Sequence, residues 1–307
     1  MTDVREVALL LGPRKSMVGI ATPAVGVPAD AESLTAVILN SGIVHRVGAN
    51  RMSVALARAL ATRGIGAVRF DLSGIGDSEP RTDELAPLQA SLADIREALD
   101  SLQASGRVTR VVLIGLCSGA DQSMLYSPED PRVFGAVLID PSIPSTRRFW
   151  VRYYRRRATN REDWRSLAWA PMSRWRSMAR RIVGDQLAQG ARGGSEEATP
   201  GPRRVQDEPE ARAFLNLAYR RVLAAGVHLL TITTGERSYP EQLLHAFPDV
   251  PFNEQLRLEH FEDADHVFSS LTIRDRAIET IVDWVQQQQS AYQSSAQARR
   301  GSMEQAG

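Results

Sequence analysis

The stretch LIGLCSGADQ, residues 113–122, holds the only cysteine of the chain, Cys117, with Gly115 two residues before it and Gly119 two residues after. Branched aliphatics lead into it and a helix-compatible segment follows, so the cysteine falls in a strand-to-helix turn. A nucleophile presented on such a turn needs small residues at minus two and plus two, because larger side chains there collide across the turn. Centring the pattern on Ser118 would put Leu116 and Ala120 in those positions, and leucine does not fit. These residue types at this spacing suit attack by a thiol, with Ser118 supplying a backbone N–H. An isolated free cysteine is ordinarily buried filler; the flanking glycines and the turn set this one apart. A thiol is only a few per cent ionised at neutral pH unless something activates it, so a base is required. The histidines available are His45, His228, His245, His260 and His266.

The elements that must position these groups follow from hydrophobic periodicity. Two short apolar runs, REVALLLGP and SMVGIATPA, predict an N-terminal hairpin or two neighbouring strands. LTAVILNSG reads as a buried strand, ANRMSVALARALATRG as a helix with Val54, Leu56, Ala57 and Leu60 inward, and GAVRFDLSG as a strand. Leu88, Leu92, Ile95, Leu99 and Leu102 recur at intervals of three and four, an amphipathic helix. RVVLIGL, SGADQSMLYS and VFGAVLID continue as strand, helix and strand. After a break the rhythm resumes with helix ARAFLNLAYRRVLAAG, strand VHLLTITTG, helix YPEQLLHAF, strand QLRLEHFED and helix IRDRAIETIVDWVQQQ. Such alternation predicts an α/β fold with a mostly parallel sheet covered on both faces, and ligands bound at the carboxyl ends of its strands.

The break is compositional. Residues 147–181 hold twelve arginines against only Glu162 and Asp163, a local charge of +10, so the rest of the chain sums to −9 from a total of +1. Trp150, Trp164, Trp169 and Trp175 are interleaved with the arginines. The segment reads as a helical insertion, followed by a Gly, Pro, Ser and Glu-rich mobile loop near 189–210. The expected organisation is therefore core over 1–140, Arg/Trp-rich cap over 141–225, core over 226–289 and a disordered tail over 290–307. The N-terminus is unlike a secretory signal and no run of about 18 apolar residues occurs, which predicts a cytoplasmic chain without a membrane span. A single cysteine excludes an intramolecular disulfide, and the histidines lack metal-ligand spacing. No metal and no cofactor are expected. Asp71 and Asp77 in DLSGIGDS flank a glycine-spaced loop, but GIG without a following lysine is no phosphate-loop fingerprint.

Three segments in order carry a family resemblance. ILNSGIVHRVGANRM resembles the HG-type oxyanion loop after strand three of the α/β-hydrolase superfamily, RFDLSGIGDS its D-x-x-G-x-G-x-S segment after strand four, and GLCSGA its nucleophile elbow. The set is similar to bacterial exosortase-associated and other α/β-fold hydrolases. Dienelactone hydrolases and polyhydroxyalkanoate synthases likewise place cysteine at the elbow. The resemblance implies an α/β-hydrolase fold of eight mostly parallel strands flanked by helices, with a helical cap inserted after strand six. It implies a chain order of nucleophile, acid and histidine. His266, in DADHVFSSL after the last strand, resembles the family's D-H-x-F segment and is the expected base. The acid is expected in TITTGERSYPEQ after strand seven, where Glu236 and Glu241 stand, with Glu236 preferred; Asp140, at the end of strand six, is the alternative. Asp263 and Asp265 are expected to shape the loop of His266. By family correspondence the oxyanion donors are the N–H groups of Ile43 and Ser118, and His45 is a candidate substrate contact. His228 and His260, on strands, read as structural, and His245 as a helix-surface residue.

These readings imply an acyl-transfer enzyme with a Cys-His-acid triad acting on an ester or thioester, as a thioesterase or acyltransferase. The arginine-rich cap would suit an acidic acyl carrier protein or the phosphates of a coenzyme A thioester. A plain carboxylester or lactone hydrolase is the alternative within enzymes, and a non-catalytic binding protein of the same fold the alternative outside them. Nucleic acid is not an expected partner.

Overall fold

A computed structural model describes residues 4–28, 33–106, 108–143, 209–235, 247, 250 and 255–304. The chain divides into two compact units, one formed by Met1–Ser142, Leu217–Pro240 and Asp249–Gly307, the other by Ile143–Asn216 and Glu241–Pro248. Nearly all of the second unit lies outside the described residues. So do the arginine and tryptophan segment, most of the loop near 189–210, His245 and the acid candidates Glu236 and Glu241.

The first unit is built on an eight-stranded sheet. Its strands are β1 (Val7–Leu11), β2 (Met17–Thr22), β3 (Leu34–Ile38), β4 (Gly66–Phe70), β5 (Arg110–Leu116), β6 (Val133–Ile139), β7 (His228–Thr234) and β8 (Leu256–Phe261). They lie in the order β1-β2-β4-β3-β5-β6-β7-β8. β1 and β2 form the antiparallel hairpin expected from the N-terminal sequence, and β2 runs antiparallel to β4. From β4 through β8 every pairing is parallel, so all these strands end at one edge of the sheet. The helices are α1 (Met52–Thr62), α2 (Pro87–Ala104), α3 (Ser118–Tyr126), α4 (Pro209–Ala224) and α5 (Leu271–Glu304).

A parallel strand covered on both faces is a near-continuous apolar run, and β3, apolar but for Thr35, is buried at every residue. Alternate residues of the central strands, Ala36 and Ile38, Val112 and Ile114, Val137 and Ile139, Leu230 and Ile232, join one core with Leu56 and Leu60 of α1 and Ile281, Val282, Trp284 and Val285 of α5. In α2, Ile95, Leu99 and Leu102 are buried as their spacing predicts, whereas Leu88, in the first turn, is exposed.

The C-terminal helix departs from expectation. The segment from 290 was expected as a disordered tail, and α5 instead continues to Glu304. Two contacts hold the start of this stretch: the Leu34 N–H donates to Gln289 Oε1 at 2.6 Å, and Tyr292 is buried edge-on against Phe134 with ring centroids 5.5 Å apart. The polar, glutamine-rich composition conceals both. Among the described residues no helix is long and apolar enough to cross a membrane.

Candidate active site

β5 ends at Leu116 and α3 begins at Ser118, leaving Cys117 alone in the turn at φ 57° and ψ −118°. A non-glycine residue held at positive φ is strained by roughly 1–3 kcal/mol, so its surroundings must over-determine it. They do. The Cys117 N–H donates to the Ile139 carbonyl at 2.8 Å, and the Cys117 carbonyl accepts from the N–H groups of Ala120 and Asp121 at 3.0 and 3.1 Å. The flanking glycines have the steric cause inferred from the sequence. A Cβ on Gly115 would lie 2.1 Å from the carbonyl of Gly119, and one on Gly119 would lie 2.4 Å from the backbone oxygen of Asn40. Because Gly119 meets backbone, no side-chain rotation can relieve the overlap. Gly119→Ala is therefore expected to cost about 1–3 kcal/mol of stability and to displace the turn after β3, measurable by urea denaturation.

The histidine reaches the turn from the loop between β8 and α5. His266 Nδ1 lies 2.8 Å from Asp140 Oδ2, and Cys117 is near enough to the imidazole to help raise its pKa. With Nδ1 on the carboxylate, Nε2 is the nitrogen left for the thiol. The Asp140 carboxylate raises the His266 pKa, aided by the Cys117 contact and opposed by burial, to about 10. The loop carrying His266 is closed by Asp265, whose Oδ1 accepts the N–H groups of Val267 at 3.1 Å and Ser269 at 2.9 Å. Asp265 thus shapes its loop, as expected.

Asp140 directly follows β6 and is buried, with φ 45°. Its N–H donates to the Ile232 carbonyl at 2.8 Å. Its Oδ1 accepts the Thr234 N–H at 2.8 Å, and its Oδ2 accepts both the Thr234 hydroxyl and His266. Thus the alternative acid, at the end of β6, is the one brought against His266, while Glu236, the preferred choice, lies outside the described residues.

The loop after β3 is a tight turn, with Ser41 bridged to Val44, the Val44 N–H donating to the Ser41 carbonyl at 3.0 Å, and Gly42 at φ 55°. Asn40 braces it, donating from Nδ2 to the Val44 carbonyl at 2.9 Å and accepting the Leu72 N–H on Oδ1 at 2.7 Å. Asp71 is fully buried and accepts from the Arg46 backbone and guanidinium; Asp77 pairs with the same guanidinium at 2.6 Å. These acids hold one loop to the other, and among the described residues no group of three or more His, Cys, Asp or Glu could hold a metal ion. Ile43 is 91% exposed and His45 is exposed beside it. Ser118 opens α3, where a backbone N–H has no acceptor within the helix.

The remaining described histidines have structural surroundings. His228 stacks on Phe134 at 5.2 Å, and its pKa is lowered by burial. His260 Nδ1 lies 2.9 Å from the Thr233 hydroxyl.

This arrangement of strands and turns matches a known family. The model described as "Alpha/beta hydrolase family" fits residues 43–284. The chain belongs to the alpha/beta hydrolase family. Solved hydrolase structures share its fold. An esterase of Pyrococcus furiosus is 14% identical with a TM-score of 0.55, over 94% of this chain and 92% of that one. A dienelactone hydrolase of Anabaena variabilis is 13% identical with a TM-score of 0.52, over 93% and 97%. An alpha-beta serine hydrolase homologue of Coxiella burnetii is 15% identical with a TM-score of 0.52, over 92% and 97%. No curated protein sequence matches the chain.

Two residues of this alpha/beta hydrolase escaped the sequence reading. Asp121, in the first turn of α3, accepts the Ser142 N–H at 2.8 Å and the Ser142 hydroxyl at 2.6 Å, and burial raises its pKa. It thereby anchors the chain two residues beyond Asp140. The available signal was an acid four residues after Cys117 on a helix that must bury one face. Thr234 was hidden because a strand threonine looks like any β-branched residue.

Proposed function

We propose that this protein is an acyl-transfer enzyme acting on esters or thioesters through Cys117, His266 and Asp140. The observation that carries the reading is the 2.8 Å contact of His266 Nδ1 with the buried Asp140 carboxylate, made beside the cysteine that the elbow holds at φ 57°. Asp140 takes the role of acid in place of Glu236, supported by its 2.8 Å contact with His266 Nδ1 and its anchoring by Thr234.

In this mechanism the thiol proton passes to His266 Nε2, Cys117 Sγ attacks the acyl carbonyl carbon, and the carbonyl π electrons move onto oxygen. The oxyanion is held by the Ile43 and Ser118 N–H groups, whose value lies in being oriented before charge develops. Collapse re-forms the carbonyl and breaks the bond to the leaving oxygen or sulfur, which receives the proton from His266. The product is an acyl-Cys117 thioester. Water, or an acceptor thiol, amine or alcohol, then attacks this carbonyl, surrenders its proton through His266 and releases the Cys117 thiol. Asp140 holds Nδ1 protonated and stabilises the imidazolium that forms. A thioester intermediate exchanges readily with thioester donors, which favours a thioesterase or acyltransferase. The arginines at 147–181 suit the phosphates of coenzyme A or an acidic carrier protein.

A second reading, a carboxylester or lactone hydrolase, is favoured by the fold shared with the Pyrococcus esterase and the Anabaena dienelactone hydrolase. The test is intact-protein mass spectrometry after brief exposure to a panel of acyl thioesters, activated esters and lactones. An acyl adduct on the wild type that is missing from Cys117→Ala supports the reading, and the preferred donor separates thioester from ester chemistry. A wild type that no donor acylates leaves the non-catalytic binding protein as the better account.

A further inference from the structure

The Gly42 N–H donates to the Ser118 hydroxyl oxygen at 2.7 Å. This bond joins the turn after β3 to the first residue of α3. The two N–H groups assigned to the oxyanion sit on those same two segments: Ile43 is bonded directly to Gly42, and Ser118 carries both the hydroxyl and the second N–H.

We propose that the Ser118 side chain is a positioning residue that sets the spacing and orientation of the two oxyanion donors, a role that rests on the acyl-transfer reading. Packing cannot perform this task, because the Ile43 side chain is 91% exposed. Nor does the glycine provide it: a Cβ on Gly42 would meet nothing within 4 Å, so Gly42 serves the turn through its φ of 55° rather than by close approach. The peptide bearing the Ile43 N–H is instead held from both sides by hydrogen bonds, Gly42 N–H to the Ser118 hydroxyl and Val44 carbonyl to Asn40 Nδ2 at 2.9 Å. The Ser41–Val44 bond closes the turn on itself but does not fix it to α3. Once χ1 of Ser118 is set by its bond to Gly42, its own N–H and that of Ile43 are linked through a short path of few rotatable bonds. Donors held this way cost no reorganisation when the oxyanion forms. Removing the hydroxyl unties one side of an exposed turn and leaves the Gly42 N–H without this acceptor.

The experiment compares two reactions of the same thiol. Acylation by 4-nitrophenyl acetate passes through a tetrahedral oxyanion. Alkylation by iodoacetamide is displacement at a saturated carbon and forms none. Second-order rates of both at Cys117 are measured by intact mass and peptide mapping for the wild type, Ser118→Ala and Ser118→Thr. Ser118→Ala is expected to lower the ratio of acylation to alkylation about tenfold, and Ser118→Thr, which keeps the hydroxyl, to hold it near the wild-type value. Amide hydrogen exchange at Gly42 is expected to accelerate in Ser118→Ala alone. An unchanged ratio in Ser118→Ala overturns the proposal, as does an equal fall in both rates, which marks a general disturbance of the thiol. A wild-type Cys117 that is alkylated but never acylated removes the acyl-transfer reading itself, and the positioning role with it.

Discussion

The Cys117→Ala variant will turn over acyl esters and thioesters at least about a thousandfold more slowly than the wild type, because it has no atom able to form the covalent intermediate. Its stability will stay within about 1 kcal/mol of the wild type. The thiol is only half-buried, and alanine meets the same backbone demand at φ 57° that cysteine does. Steady-state kinetics with the best donor and urea denaturation measure the two quantities together. Slow turnover accompanied by a large loss of stability would point to a damaged elbow, and unchanged turnover would remove Cys117 from the chemistry. Cys117→Ser will retain the geometry but not the rate, since a hydroxyl is far harder to deprotonate than a thiol and depends more on its base.

Asp140→Asn will lower acyl transfer by roughly 10²–10⁴-fold, an effect that separates Asp140 from a merely structural carboxylate. The buried carboxylate accepts three hydrogens, from the Thr234 N–H, the Thr234 hydroxyl and His266. An amide can present its oxygen to the Thr234 N–H only by turning its NH₂ towards the other two. His266 Nδ1 must then accept, which puts the proton on Nε2 facing the thiol and removes the base. The pH behaviour follows in sign. The pKa of His266 is raised from an ordinary 6.5 to about 10, first by Asp140, so the folded protein binds this proton more tightly than the unfolded chain. The resulting stabilisation is complete below about pH 6.5 and is lost as pH rises through about 10. In Asp140→Asn the imidazole will titrate nearer 6.5, and the difference in stability between wild type and variant will shrink between pH 6 and 10. Proton NMR of the His266 ring and urea denaturation at those two pH values measure both. A ring that titrates identically in wild type and variant would contradict the pairing of Asp140 with His266.

Smaller effects are expected around the site. Asp121→Ala will cost about 1–3 kcal/mol by removing the carboxylate that accepts the Ser142 N–H and hydroxyl, and will slow acylation about tenfold by loosening the chain beyond Asp140. Comparing urea midpoints with single-turnover acylation rates separates the two consequences.

Local chemistry made much of this legible in the order of residues alone. The pair Gly115 and Gly119 around Cys117 stated a steric requirement, and the 2.1 and 2.4 Å that would separate a Cβ at each position from backbone atoms express that requirement as distances. Buried parallel strands are near-continuous apolar runs, so β3, β5 and β6 were readable from their mostly aliphatic residues. His266 was readable because it follows the last strand. What tertiary structure decided were the partnerships between residues far apart in the chain. Asp140 and Glu236 are both acids placed after a strand, and nothing local distinguishes them; the approach of Asp140 to a histidine 126 positions away depends on the pairing of β6, β7 and β8. The same is true of Ser118 and Gly42, 76 positions apart, and of Asp121 and Ser142. The C-terminal extension of α5 was hidden for a related reason: its polar composition looks disordered, and the contacts with Leu34 at the start of β3 and with the ring of Phe134 come from residues far away in the chain. Periodicity and steric demand act between near neighbours and are written in the order of residues, whereas a hydrogen bond between distant segments exists only once the sheet has brought them together.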